Sequence, residues 1–324
     1  MNIMKWKLPT AILFGLLLAP SLACAKWPDE KPITIVVPWA PGGSTDILAR
    51  LLSEKLTKAL GQSVIVENRS GASGNIGSQI VAKAKPDGYT LLVGSMSTHT
   101  MNQALYKNMP FDGVKDFTPI AELALVTNTM VVNASLPVST VADFIKYAKA
   151  RPGQLAFASA GIGSTNYLSA ALFDKGTGIK MTHIPYRGGA PAVLDTVANR
   201  TQVLFSAATQ TLPYVKAEKL KLLAVTEGKR STLFPDVPTV GETVPGYELA
   251  VWYGFFGPKG MDPALVARLN KTTNQILEQP SVVKAMNNIG VVLVHSSPQQ
   301  FAQTLAHDAD KYGKLIRELG ITVE

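Results

Sequence analysis

The sequence predicts an α/β protein of two lobes, each a mainly parallel sheet flanked by helices. Three observations carry that prediction. Short β-branched runs alternate with helical periodicities along much of the chain. Its 324 residues exceed what one hydrophobic core comfortably holds. Two extended apolar stretches, Met130-Val131-Val132 and Ala250 to Phe256, break the rhythm without an intervening helix. Strand–helix alternation builds parallel sheets covered on both faces, and a chain that crosses twice between lobes makes a hinge.

The first element is a candidate export signal rather than part of the fold. Lys5 and Lys7 precede an apolar run from Ala11 to Ala19, and Ala23-Cys24-Ala25 offers small residues for cleavage after Ala25. The run is short of the roughly 20 residues that cross a bilayer. Lipid attachment at Cys24 is the alternative, although Ser21 stands where an aliphatic residue is usual. Cys24 is the only cysteine, so cleavage leaves no thiol for a disulfide, a metal or a nucleophile. The formal charge of +8 falls to +6 without Lys5 and Lys7, and no Lys/Arg block or basic–aromatic alternation suggests nucleic acid.

Ile33 to Val37, bounded by Pro32 and Pro38, reads as a buried strand. Thr45 to Leu60 reads as a helix, with Ile47, Leu48, Leu51, Leu52, Leu56 and Leu60 on one face and Gly61 as its stop. Val64 to Val66 (strand), Asn75 to Ala84 (helix, ended by Pro86) and Thr90 to Val93 (strand) continue the alternation. Thr140 to Ala150 is a helix stopped by Pro152-Gly153, followed by a strand at Leu155 to Ala158 and a helix at Thr165 to Phe173. Met181 to Ile184, Val203 to Phe205 and Leu222 to Val225 read as strands, and Pro191 to Val197 as a helix. Lobe one is expected at residues 26–125 plus 252–324, and lobe two at 126–251.

The most informative pattern is a pair of similar turns. Pro41-Gly42-Gly43-Ser44-Thr45-Asp46 follows the first strand, and Gly161-Ile162-Gly163-Ser164-Thr165-Asn166 follows the Leu155 strand; each leads into a helix. Glycines let backbone approach a ligand, and first-turn N–H groups at a helix N-terminus are unsatisfied donors at the positive end of the dipole. Such ends hold carboxylate or phosphate, and in parallel sheets they lie where ligands bind. The plainer alternative is two ordinary capped turns. A third turn, Tyr186-Arg187-Gly188-Gly189, can form a backbone nest before Pro191, with Arg187 either pairing with a ligand carboxylate or solvated at the surface. Ser95 and Ser97, after the Thr90 strand, offer small hydroxyl donors beside His99.

Signals for catalysis are poor. Ser164 stands one position late for a G-x-S-x-G elbow, and no glycine turn is followed by a phosphate-loop lysine. The Gly71 to Gly77 run lacks dinucleotide spacing. The four histidines (His99, His183, His295, His307) show no metal-ligand spacing, so neither a metal nor a cofactor is expected.

Several blocks together resemble the Bug-type receptors, the periplasmic substrate-binding components of tripartite tricarboxylate transporters. These are Trp27-Pro28, Lys31 to Gly43 (KPITIVVPWAPGG), Pro86 to Leu92 (PDGYTLL), Lys115 to Ile120 (KDFTPI) and His183 to Gly189 (HIPYRGG). Pro235 to Thr239 (PDVPT), Trp252 to Pro258 (WYGFFGP) and Ser297 to Phe301 (SPQQF) extend the likeness over nearly the whole chain. The resemblance implies a two-lobe periplasmic binding fold, type II-like, with a double-crossover hinge. It further implies a ligand carboxylate held largely by backbone amides and bridging water. Carried to this chain, the contacts are Trp39, Pro41, Gly42, Gly43, Ser44, Thr45 and Asp46, with Gly163, Ser164, Thr165, Tyr186 and Arg187 facing them. Where the family often carries acids, Asn199 to Ser206 has none, which weighs against a ligand amine there.

The expectation is therefore a monomeric, non-enzymatic periplasmic receptor. It would bind a di- or tricarboxylate, an aromatic acid or an acidic amino acid, and dock on membrane permease subunits. A sensory receptor that signals to a kinase is the alternative, and an exported hydrolase using Ser44 or Ser164 a remote one. Asp46 sits awkwardly near an anion and is expected to cap its own helix or to bind a ligand N–H or hydroxyl.

Overall fold

In the computed structural model, which describes Met1 and residues 27–322, the run after Pro32 forms β1 (Ile33–Val37), buried except at Thr34. The expected export segment, apart from Met1, lies outside the described residues, as do Cys24 and the cleavage point after Ala25. Alternation then proceeds through α1 (Ser44–Leu60), β2 (Val64–Asn68), α2 (Asn75–Ala82) and β3 (Thr90–Ser95). Leu48, Leu52 and Leu56 on α1 turn one face inward, and Gly61 ends the helix in the left-handed region at φ 70°. A π-turn at Ser97–Met101 leads into α3 (Asn102–Leu105) and then β4 (Phe117–Val126).

A single residue, Thr127, separates β4 from β5 (Asn128–Asn133), and there the chain leaves one sheet for another. The second sheet is built with α4 (Val141–Lys149), β6 (Ala156–Ser159), α5 (Thr165–Thr177), β7 (Thr182–Pro185), α6 (Gly189–Val197), β8 (Val203–Ala207), α7 (Ala208–Lys216) and β9 (Leu220–Val225). A reciprocal capping box between Thr140 and Asp143 starts α4. The chain returns to the first sheet with β10 (Val251–Pro258). It finishes with α8 (Pro263–Leu277), α9 (Pro280–Asn287), β11 (Val291–Leu293) and α10 (Pro298–Leu319).

Strand order is β11-β4-β10-β3-β1-β2 in the first sheet and β7-β6-β8-β5-β9 in the second. Both sheets are mixed rather than mainly parallel. β1 pairs in parallel with β2 and β3, and β6 with β7 and β8, as the alternation requires. β10 runs antiparallel to β3 and β4, and β5 antiparallel to β8 and β9. The reason is topological: β5 and β10 are the strands that arrive from the other lobe, and each enters against the direction of the block it joins.

Each lobe has its own core. Ile35, Leu52, Leu92, Phe256 and Phe301 belong to the first, and Phe144, Phe173, Phe205 and Leu223 to the second. His99 is core too. It lies between Phe117 and Phe256 at centroid distances of 4.6 and 3.9 Å, and its Nδ1 donates to Gly113 O at 2.9 Å. Burial pushes its imidazole down to about 4, so it is neutral at physiological pH. A Cβ on Gly94 would lie 2.4 Å from His99 Nε2, so that close approach requires glycine.

The two crossings lie side by side. Asn128 N–H donates to Glu227 Oε1 at 3.1 Å, and Thr226 N–H to Asn128 O at 2.9 Å. Leu249 N–H donates to Thr226 O at 2.8 Å, and the Thr226 hydroxyl to Leu249 O at 2.6 Å. Three chain segments are thereby pinned at one joint.

Candidate functional site

The loop after β1 sets one wall of a chamber between the two sheets. Gly42 takes φ 84°, and Gly43 caps α1 from an extended conformation with no side-chain bond to the helix. The first N–H groups of α1 are therefore left to whatever occupies the chamber. The Ser44 hydroxyl reaches Thr209 Oγ1 across the cleft at 2.5 Å and also bonds the Tyr253 hydroxyl. Asp46 faces away, beneath the loop. Its Oδ2 accepts from Gly42 N–H at 3.0 Å and Arg50 Nε at 2.9 Å, and its Oδ1 from Asn68 Nδ2 at 3.0 Å. Burial works to raise its pKa, but the bonds from Arg50, Gly42 and Asn68 outweigh it and hold the carboxyl below its ordinary value.

Three further helix N-termini meet that wall. Ser164 caps α5, accepting from Tyr167 N–H at 3.2 Å and donating to Gly161 O at 2.7 Å, and places Thr165 and Asn166 on the chamber. Neither α6, entered from Gly188, nor α7, entered from Ala207, has a side-chain cap, and Gly189 and Ala207 line the chamber. Four positive helix ends thus converge on one space. Its lining carries no Asp, Glu, Lys, Arg or His. Such a space favours an anion held by backbone dipoles rather than by ion pairs.

Of the residues singled out from sequence, Trp39, Gly43, Ser44, Thr45, Ser95, Ser97, Ser164 and Thr165 line this chamber. Pro41 and Gly42 are exposed on the outer side of the loop, and Asp46 braces it from below. Gly163 packs across the cleft, where a Cβ would lie 2.8 Å from Asn102 Oδ1. Gly188 sits against Ala40. Tyr186 and Arg187 line an outer cavity, which shares Trp39 and Ala160 with the inner one; the Tyr186 hydroxyl donates to Asp195 at 2.7 Å. Ser73 and Tyr106 both donate across the cleft to Ile162 O, so the lobes are closed on each other.

The chamber also contains residues not named as ligand contacts from the sequence: Asn128, Asn166, Ser206, Gln210 and Tyr253. Ser206 and Gln210, bonded at 2.7 Å, follow the same strand-to-helix logic as the glycine turns, at the end of β8. Asn128 and Tyr253 come from the two crossing strands, where no strand-to-helix turn announces a ligand contact.

The Ser44 and Ser164 hydroxyls have no histidine beside them in this lining. The Ser–His pair between buried Ser159 and half-buried His183 (2.6 Å) lies outside this lining, and the Ser159 hydroxyl also accepts Gly161 N–H at 3.0 Å. Among the described residues, no three His, Cys, Asp or Glu side chains group as a metal site, and no helix is long and apolar enough to cross a membrane.

Residues 48–321 match the tripartite tricarboxylate transporter family receptor. The chain is 35% identical over 292 residues to Protein BugT of Bordetella pertussis, covering 90% of each. Among solved structures it is similar to Rpa4515 of R. palustris with adipate, at 37% identity and TM-score 0.88, covering 92% of this chain and 100% of that one. MatC from Rhodopseudomonas palustris with bound malate is similar at 30% identity and TM-score 0.84, over 89% of this chain and 99% of that one.

Proposed function

Since the chain belongs to the tripartite tricarboxylate transporter receptor family, we propose that it is a periplasmic receptor that closes on a carboxylate and hands it to membrane permease subunits. Lobe one would comprise residues 26–125 plus 252–324 and lobe two 126–251, a division the two sheets support. The observation that carries the reading is the convergence of four helix N-termini on a chamber without a charged side chain. Amides of Gly43, Ser44 and Thr45 would hold a carboxylate from lobe one, and those of Thr165, Asn166 and Gly189 from lobe two. The adipate and malate of the two similar structures fit that chemistry. Closing the lobes removes water and strengthens each of these bonds. No group in the lining is placed as a general base, so the ligand would leave unchanged.

Thermal unfolding with mono-, di- and tricarboxylates, aromatic acids and acidic amino acids tests the reading. A ligand at about 100 times its dissociation constant adds roughly 2.7 kcal/mol. At least one carboxylate should raise the transition while its neutral amide does not. A panel in which amide and acid act alike, or in which nothing acts, would reject it.

A further inference from the structure

The chamber's amide side chains carry information about the ligand beyond its charge. Asn128 Nδ2 lies 3.0 Å from Thr226 Oγ1 and 3.2 Å from Ser169 Oγ. Both hydroxyl protons are already committed, that of Thr226 to Leu249 O at 2.6 Å and that of Ser169 to Thr165 O at 2.8 Å. Each hydroxyl can therefore only accept, and the atom facing them must be the donating nitrogen. That settles the orientation of the amide and spends both of its protons. Asn128 Oδ1 is left without a protein partner and is not sealed from the chamber, which the residue lines.

Asn166 is oriented in the same way, although only one of its two amide protons is taken. Its Nδ2 donates to Phe205 O at 2.6 Å, a carbonyl that can only accept, and its Oδ1 likewise has no protein partner. Serine and threonine hydroxyls in the same lining can turn to suit an occupant. A carboxamide oxygen held this way remains an acceptor. A chamber of positive helix ends thus contains two fixed acceptors, which a bare carboxylate or an alkyl chain would leave unpaired at a cost.

We propose that the ligand is a hydroxycarboxylate whose hydroxyl donates to Asn128 Oδ1 while its carboxylate takes the helix amides. This rests on the carboxylate reading above and narrows it. A hydroxyl fits better than an ammonium group, because the lining offers no acid to balance a cation and the helix ends repel one. Sites that bond a ligand hydroxyl discriminate strongly against the analogue that lacks it.

The test is calorimetric titration of the purified protein with pairs that differ by one hydroxyl: malate and succinate, lactate and propionate, citrate and tricarballylate. Aspartate is added as the ammonium counterpart of malate. The hydroxylated member of the best-binding pair should bind at least about tenfold tighter. Malate should also exceed aspartate. In Asn128→Ala the preference should collapse to about twofold or less, while the unsubstituted acid still binds. Equal or tighter binding of the unsubstituted acids overturns the proposal, as does aspartate binding above malate or a preference that survives the substitution. These comparisons use the unaltered protein first, so a variant that fails to fold does not blunt them. If carboxylates bind without hydroxyl preference, only this inference falls; if no acid binds, the receptor reading falls with it.

Discussion

Asp46 braces the loop of the chamber without lining it. Its two oxygens tie together Gly42, Arg50 and Asn68, and Asn68 in turn bonds Trp39 O at 3.1 Å, so the loop and the start of α1 are held as one unit. Asp46→Ala should lower stability by about 1–3 kcal/mol and weaken carboxylate binding together, read by urea unfolding and titration calorimetry. Weakened binding at unchanged stability would instead put this carboxylate in contact with the ligand. At this scale the sequence reveals what glycine and serine turns reveal: Gly43, Ser44, Thr45, Ser164 and Thr165 are legible because a strand, a turn and a helix adjoin in the chain. Asn128 and Tyr253 are not, since each reaches the chamber only after a strand has crossed from one lobe to the other. Gln210 is an intermediate case, because the junction at Ala207-Ala208 has the right order of elements but no glycine to mark it.

Among the elements, the entry to α1 is under competing demands. An uncapped N-terminus is a weaker helix start than Ser, Asn or Asp would give, and the missing cap leaves its first amides without a side-chain partner. Gly43→Asp should keep or raise helix stability, within about 1 kcal/mol, while filling the amides with its own carboxylate. Carboxylate affinity should then drop on the order of a hundredfold in calorimetry. Retained affinity in a folded variant would show that this helix end takes no part in binding. The strand–helix units from β1 to β3 and from β6 to β8 are readable because periods of two and of 3.6 alternate cleanly there, whereas α7, which carries Pro213, goes unread between β8 and β9. β4 escapes that reading, with Pro119 and Glu122 interrupting its apolar pattern. The last three helices are left unassigned by it, although α10 carries Phe301, Leu305, Tyr312 and Ile316 on one face and a Ser297–Gln300 capping box. Those signals are present in the sequence and belong to no strand–helix unit, which is why a βα reading passes over them.

For the molecule as a whole, two lobes follow from length and alternation, whereas the antiparallel entry of β5 and β10 follows only from knowing where the chain crosses. Glu227 stands at that crossing. Burial pushes its carboxyl up to about 7, against the opposing bonds from nearby backbone N–H groups, and one of its oxygens has no partner among the described residues. The native state therefore keeps a proton that the unfolded chain releases near its ordinary value of 4.5. The stability this contributes is full below about 4.5 and is lost as pH rises toward 7. Glu227→Gln should accordingly gain on the natural protein across that interval, on the order of 3 kcal/mol by its upper end, in urea titrations at a series of pH values. A difference that stays flat with pH would show the group to be solvated.

The uncapped helix ends have a consequence for how such a receptor tolerates drift in its coding sequence. Short of exchange to proline, no substitution deletes a main-chain donor, so on the proposed reading the grip on negative charge would survive most replacements around it. What replacements do alter is the company kept by those donors: an amide oxygen here, an aromatic wall there. On the proposed reading, one scaffold could be retargeted from one acid to another by point changes that leave those donors open.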